Sequence, residues 1–250
     1  MNKQTTGIII HTRKLGESSF LVTIFSDELG KIKGMARGSK KNPANLQIGN
    51  IVKVDWKRRL STQLGSFKLE VISIPAAKCF HDPAKMQCLN YFSEILTSSL
   101  ADEEPHPHLY QKTHEFLNDI AEPNIWERLA FYELSLLVSL GYGLSLSKEK
   151  AVPCPKNTPL MYVSPKSGRA VSEDMGKPYK DKLLPLPQLF GGKSAENMAI
   201  CGETQLRKEK HHDYDDVFSL TGHFLTKAVD GKRLKERSQL IELGRQIDFE

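Results

Sequence analysis

The 250-residue sequence predicts an α+β protein: an N-terminal five-stranded barrel followed by an all-helical domain that carries an irregular, proline-rich insert. Three observations lead there. Apolar residues recur with period two from Gly7 to Pro75 and with helical spacing after Asp82. Seven of the 13 prolines fall between Pro153 and Pro187, where regular structure should be sparse. Charge also divides along the chain: residues 1–80 hold 14 basic and 5 acidic side chains, residues 81–141 hold 3 and 10, and residues 142–250 hold 18 and 15. The formal +5 of the whole chain therefore conceals a strongly basic N-terminal part, as expected of an anion-binding module.

The first strand runs from Gly7 to Leu15 and breaks at Gly16-Glu17. The second, Ser18 to Ser26, carries Phe20, Val22 and Ile24 on one face and Leu21, Thr23 and Phe25 on the other, which implies cover on both sides. After a turn at Asp27 to Gly30, the third strand places Lys31, Lys33, Met35 and Arg37 on a single face, and the loop Gly38 to Pro43 adds Lys40 and Lys41. Asn50 to Leu60 points Val52, Val54 and Trp56 inward and Lys53, Asp55, Lys57 and Arg59 outward; Ser66 to Ile74 is the fifth strand, stopped by Pro75. Five short strands closed against free edges fit an oligonucleotide-binding (OB) barrel, and an SH3-like barrel fits the same pattern.

Asp82-Pro83 marks a helix start, an acidic N-cap before proline at the first helical position, and Met86, Leu89, Phe92, Ile95 and Leu96 continue it. Further helices are expected over Pro107 to Ile120 and over Ile125 to Leu140. The latter is the core helix, bearing Trp126, Leu129, Leu136 and Leu137 and ending at Gly141. The acidic balance of this stretch is expected on the outer faces of these helices. Past the insert and a flexible stretch from Gly191 to Gly202, one helix should begin near Asp215-Asp216 and a last one should span Arg233 to Leu243. The expected division is residues 1–80 as the basic barrel and residues 81–250 as the helical domain, with its insert at about 151–202.

Several function classes lose their hardware. No apolar run approaches the roughly 20 residues that cross a bilayer, and Ile8-Ile9-Ile10 is too short for a signal peptide, so a soluble cytoplasmic protein is expected. Cysteines at 79, 88, 154 and 201 lack a framework spacing and read as reduced thiols. Cys154 has Asn157 where a zinc partner would stand, so no zinc is expected. His211-His212-Asp213 with Asp215 and Asp216 could hold a nuclease metal, but a polar loop capped by Asp215 or Asp216 before a helix explains the same residues more cheaply. Ser145 to Lys148 matches an acyl-transfer string without its companions, and neither a phosphate loop nor a dinucleotide fingerprint occurs. We expect no cofactor and no enzyme.

What remains is a cation cluster: Arg13, Lys14, Lys31, Lys33, Arg37, Lys40, Lys41, Lys53, Lys57, Arg58 and Arg59. Lysine and arginine neutralise phosphates, and that term supplies most sequence-independent affinity for nucleic acid. Phe20, Phe25, Trp56 and Phe67 interleave with these cations and read mostly as inward packing. The competing reading is an adaptor whose basic barrel binds acidic protein tails, since both uses need the same cations.

The stretch Gly7 to Ser26, with its Gly16-Glu17-Ser18-Ser19 turn, and the stretch Gly30 to Lys41, with Ala36-Arg37-Gly38 before its lysines, resemble the opening of the RecO family of DNA repair proteins. Tyr162 to Ser172 and Leu183 to Pro187 resemble the insert of its alphaproteobacterial members, and Gly231 to Leu243 their last helix. The resemblance implies an OB-fold and a helical domain that bind single- and double-stranded DNA and anneal complementary strands. It further implies action with RecR and RecF to help RecA replace single-strand-binding protein on gapped DNA, contact with the acidic C-terminal tail of that protein, and association with the nucleoid when on DNA. Carried over by position, Lys31, Lys33, Arg37, Lys40 and Lys41 would touch DNA.

Overall fold

The structure, a computed structural model, describes residues 2–38, 43–60, 63–147, 151–152, 158–191, 203–247 and 249, without the side chains of 43 and 203–213. Strands β1 (Asn2–Lys14), β2 (Ser19–Ser26), β3 (Gly30–Arg37), β4 (Ile51–Lys57) and β5 (Gly65–Ser73) hydrogen-bond in the cyclic order β1-β2-β3-β5-β4 and close into a barrel. β1 starts five residues ahead of the expected Gly7, because the polar stretch from Asn2 to Thr6 pairs with Lys57 to Lys53 of β4. That ladder is non-local, and local periodicity carries no trace of it.

Closure occurs where β3 and β5 run parallel for two residue pairs, Gly34 with Gly65 and Met35 with Ser66. The backbones can meet there because neither first partner has a side chain: a Cβ on Gly34 would lie 2.8 Å from the Phe67 ring and 3.0 Å from the Gly65 carbonyl oxygen. This crossing resolves the two barrel readings in favour of the OB-fold. Ile9, Val22, Ile24, Ile32, Val52, Val54, Trp56 and Phe67 fill the interior, so the inward assignments on β4 hold. Phe25 points the opposite way and is still fully buried, edge-on to Tyr110 at 5.7 Å and 71°. β2 is thus covered on both faces, as its sequence requires.

Helices α1 (Pro83–Ser99), α2 (Pro107–Asn118) and α3 (Ile125–Ser139) follow. Asp82 caps α1, its side chain accepting the Lys85 N–H. The proline-rich insert is more regular than its composition suggests. β6 (Leu160–Val163) pairs with both β7 (Ala170–Ser172) and β8 (Leu184–Pro185), and the single turn α4 (Glu173–Gly176) follows β7. Pro185 is tolerated because β8 is an edge strand. Helix α5 spans Glu203–Ala228 and starts well before the expected Asp215, and α6 covers Lys235–Gln246. The first turns of α5 are polar, so no apolar period marks them in the sequence. Asp215 is accordingly not a cap; its Oδ1 accepts a hydrogen bond from Arg245 Nε at 2.7 Å. Of the stretch Gly191 to Gly202, only Gly191 lies within the described residues.

By internal contacts the chain forms two compact units, Met1–Ile125 with Leu234–Leu240, and Trp126–Arg233 with Ile241–Glu250. In the second, Trp126 is almost fully buried and meets Phe249 edge-on at 5.0 Å. In the first, the barrel and helices α1 and α2 share a fold with the opening turn of α6. Glu94 of α1 fixes that turn: its carboxylate accepts the backbone N–H groups of Lys235 at 2.6 Å, Glu236 at 3.0 Å and Arg237 at 3.2 Å. A carboxylate at a helix N-terminus satisfies orphan donors and complements the helix dipole. Glu94→Ala should lower stability by about 1–2 kcal/mol, the scale of a lost N-cap, seen as a lower urea midpoint at unchanged slope.

Candidate nucleic-acid interface

Strand alternation divides the barrel side chains between interior and outer face. Lateral pairing from Lys57 to Ser66, Met35, Leu21 and Arg13 carries the outer face across all five strands. Arg13 and Lys14 end β1, Arg37 ends β3, Lys53 and Lys57 lie on β4 and Arg59 follows it; all are exposed. Lys57 has Asp55 at 3.5 Å yet keeps 61% of its side chain in solvent. Among the described residues, no carboxylate pairs with Arg13, Lys14, Arg37, Lys53 or Arg59.

Lys68 joins this set although the sequence reading passed over it. The alternation Ser66, Lys68, Glu70 along β5 was the available signal, because it puts Lys68 on the outer face. With Arg37 it lines a groove of about 480 Å³ at the β3–β5 seam, whose apolar wall includes Leu46, Phe67, Leu69 and Val71. Trp56 and Phe67 are buried, as expected, and Phe20 is half-buried against the barrel core. Lys40 and Lys41 lie outside the described residues.

Three of the expected cations go elsewhere. Lys31 is only 6% exposed; its Nζ donates to the Thr97 carbonyl oxygen at 3.1 Å and lies 3.2 Å from Asp102 Oδ1. Lys33 Nζ sits 2.7 Å from Asp102 Oδ2. Arg58 donates from both terminal nitrogens to the two Glu103 oxygens, at 2.6 Å each, and its guanidinium stands 4.3 Å over the Trp56 ring. The bidentate fork and the aromatic face are the two contacts that guanidinium geometry favours most. The acids of the helical stretch are expected on the outer faces of the helices; the α1–α2 connection instead lays Asp102 and Glu103 on the barrel.

Backbone geometry seats that connection. Glu103 donates its N–H to the Lys31 carbonyl at 2.8 Å, and Lys31 and Asp102 form a parallel bridge, so the acidic turn continues the edge of β3. Gly30 makes room for it. At φ 67° and with a Cβ that would lie 2.1 Å from the Glu104 carbonyl oxygen, this position admits no side chain. The cluster joins residues 69 apart in sequence, which local pattern cannot reveal.

The ion pairs set the protonation of the acids. Partial burial pushes the Asp102 carboxyl up, but hydrogen bonds from Lys33 and Lys31 outweigh it and hold the group below its ordinary 3.8. The Arg58 hydrogen bond holds Glu103 below its ordinary 4.5, and Glu103 in turn raises Arg58. Both acids are therefore ionised throughout the neutral range.

Other candidate chemistry finds little support among the described residues. No group of three His, Cys, Asp or Glu there is placed to hold a metal ion, and no helix is long and apolar enough to cross a membrane. The side chains of His211, His212 and Asp213 lie outside them, although the backbone there is helical. Cys79 and Cys88 are buried, and burial pushes the Cys79 thiol up; Cys154 and Cys201 are not described.

Comparison with known proteins matches residues 1–75 to the family model "Recombination protein O N terminal" and residues 81–238 to "Recombination protein O C terminal". The chain is similar to the DNA repair protein RecO of Anaplasma marginale, at 38% identity over 76% of this chain and 79% of that one. It is also similar to the RecO proteins of Bartonella tribocorum, at 35% over 97% and 95%, and Methylorubrum extorquens, at 33% over 95% and 96%.

Because both carboxyls titrate lower in the folded protein than in the unfolded chain, their stabilising effect is complete above the ordinary carboxylate range and disappears as pH falls through their lowered values. The stability gap between wild type and Asp102→Asn/Glu103→Gln should therefore be constant from neutral pH down to that range and shrink below it, as read by urea unfolding at a series of pH values. A gap that widens on acidification would contradict the ion-pair assignment.

Proposed function

The chain belongs to the recombination protein O family of DNA repair and recombination proteins, and from that premise we propose that its barrel, residues 1–80, holds DNA by its phosphates. The observation that carries the reading is the outer face on which Arg13, Arg37, Lys53 and Lys68 point into solvent, joined by exposed Lys14 at the end of β1 and Arg59 just past β4, all without a carboxylate partner among the described residues. Lys57 adds to this face, and Lys40 and Lys41 extend it on the strength of sequence alone. Lys31, Lys33 and Arg58 leave the contact set, because their donors are engaged within the protein.

Cations on one face can serve two strands at once. Screening the phosphate repulsion between complementary single strands lowers the barrier to their pairing, and nothing in that step requires nucleotide hydrolysis or a cofactor. The protein then acts as a non-enzymatic mediator, annealing complementary strands and, with RecR and RecF, helping RecA replace single-strand-binding protein on gapped DNA. The helical part receives the acidic tail of single-strand-binding protein, and the protein works in the cytoplasm on the nucleoid. A strand-annealing assay with and without single-strand-binding protein, at two salt concentrations, tests this activity.

For the site, each lost phosphate contact should remove about 0.7 from the slope of log K against log salt on single-stranded DNA. Arg37→Glu/Lys68→Glu should weaken binding and flatten that slope by about 1.4 or more, with the urea midpoint unchanged. An unaltered slope would remove the β3–β5 seam from the interface. Stronger binding of an acidic peptide than of DNA by the wild-type chain would favour the adaptor reading.

A further inference from the structure

We propose that Asp102 and Glu103 fill, from within the chain, a phosphate site formed by Lys33 and Arg58, and so draw one border of the DNA footprint on the barrel. The inference rests on the reading of the barrel as a DNA-binding surface and adds to it where that surface stops.

A planar guanidinium fork accepts a carboxylate or a phosphate with the same bidentate geometry, and an ammonium 2.7 Å from a carboxylate oxygen stands where it would meet a phosphate oxygen. Here both positions are taken by the two oxygens of Glu103 and by Asp102 Oδ2. The site is not sealed. Lys33, Asp102 and Glu103 keep 42%, 53% and 46% of their side chains exposed, while Arg58 keeps 7%, lying under the Glu103 carboxylate and against Trp56; a depression of about 300 Å³ lined by Lys33, Arg58, Gln63 and Leu64 opens beside them. DNA phosphates can reach this place, and the acids decide that they do not stay.

The acids are built in. The Glu103 N–H to Lys31 bond, the parallel bridge at Asp102 and the close approach at Gly30 fix the turn to β3, so its carboxylates face no search and little ordering cost. A phosphate would have to displace tethered anions and remain beside Glu104, which is exposed as well. Lys31 stays outside the exchange, since its ammonium is buried against the Thr97 carbonyl. Phosphates are accordingly kept off the corner of the barrel formed by Lys33 and Arg58 and meet the unpaired cations around it, Arg13, Arg37 and Lys68 among them.

The test measures single-stranded DNA binding by the full chain across a salt series. Glu103→Gln should remove the carboxylate that covers Arg58, steepen the log K against log salt slope by about 0.7, equivalent to one added phosphate contact, and tighten binding several-fold at low salt. Asp102→Asn/Glu103→Gln should steepen it by about twice that. Glu104→Gln, which changes net charge equally without touching Arg58 or Lys33, should leave the slope at its wild-type value. An unchanged or flatter slope in Glu103→Gln, or an equal gain in Glu104→Gln, would overturn the inference while wild-type binding keeps the DNA reading intact. Absence of wild-type binding at every salt concentration would remove the DNA reading and this inference together. Should the double variant fail to fold, the comparison of Glu103→Gln with Glu104→Gln decides alone, because both side chains reach solvent.

Discussion

A buried ammonium organises the first compact unit. Lys31 lies on the outer face of a barrel strand, where a lysine would ordinarily extend into water, yet it is almost completely covered. Removing a charge from water costs several kcal/mol unless it is paired and hydrogen-bonded, so the covering segment has to supply both a carbonyl and a carboxylate. Thr97, at the end of α1, provides the first and Asp102 the second. The position of the α1–α2 connection follows from that requirement, as does the missing side chain at Gly30. Once the turn is in place, Glu103 reaches Arg58, and Arg58 settles on Trp56.

The consequence for charge is that the barrel is less basic, seen from outside, than its composition implies. Net charge says how many cations a domain has, while pairing decides how many of them a polyanion meets. Here the paired cations gather at the start of β3 and just past the end of β4, and the unpaired ones lie at the ends of β1 and β3, on β5, at Lys53 on β4 and at Arg59. Under the proposed function, a polyanion meets fewer of the barrel's cations than composition alone implies.

Legibility in the sequence followed the range of the interactions. Val52, Val54 and Trp56 announced the barrel interior because strand alternation is a local property, and Asp82-Pro83 announced α1 because capping involves neighbours. The pairing of Asn2 to Thr6 with β4, the parallel closure at Gly34 and Gly65, and the acidic turn on Lys31 all join distant residues, and none leaves a periodic mark. The polar start of α5 escaped for a related reason, having no apolar stripe to betray it. The face of Lys31, Lys33 and Arg37 on β3 was read correctly, while the cover over one end of it was not. Lys68 follows the same alternation, but as a single cation between Ser66 and Glu70 it forms no run of charge.

The contact between Glu94 and the start of α6 bears on how the chain is made. The unit containing the barrel takes its final piece from Leu234–Leu240, after the chain has left at Ile125 and built most of another unit. During synthesis, then, the barrel and first helices emerge long before the segment that completes them, and the Glu94 carboxylate waits for partners about 140 residues away. Contacts of such sequence separation form late and slowly. A nascent chain not yet extended past Leu234 would therefore carry a nearly finished barrel on an unfinished support.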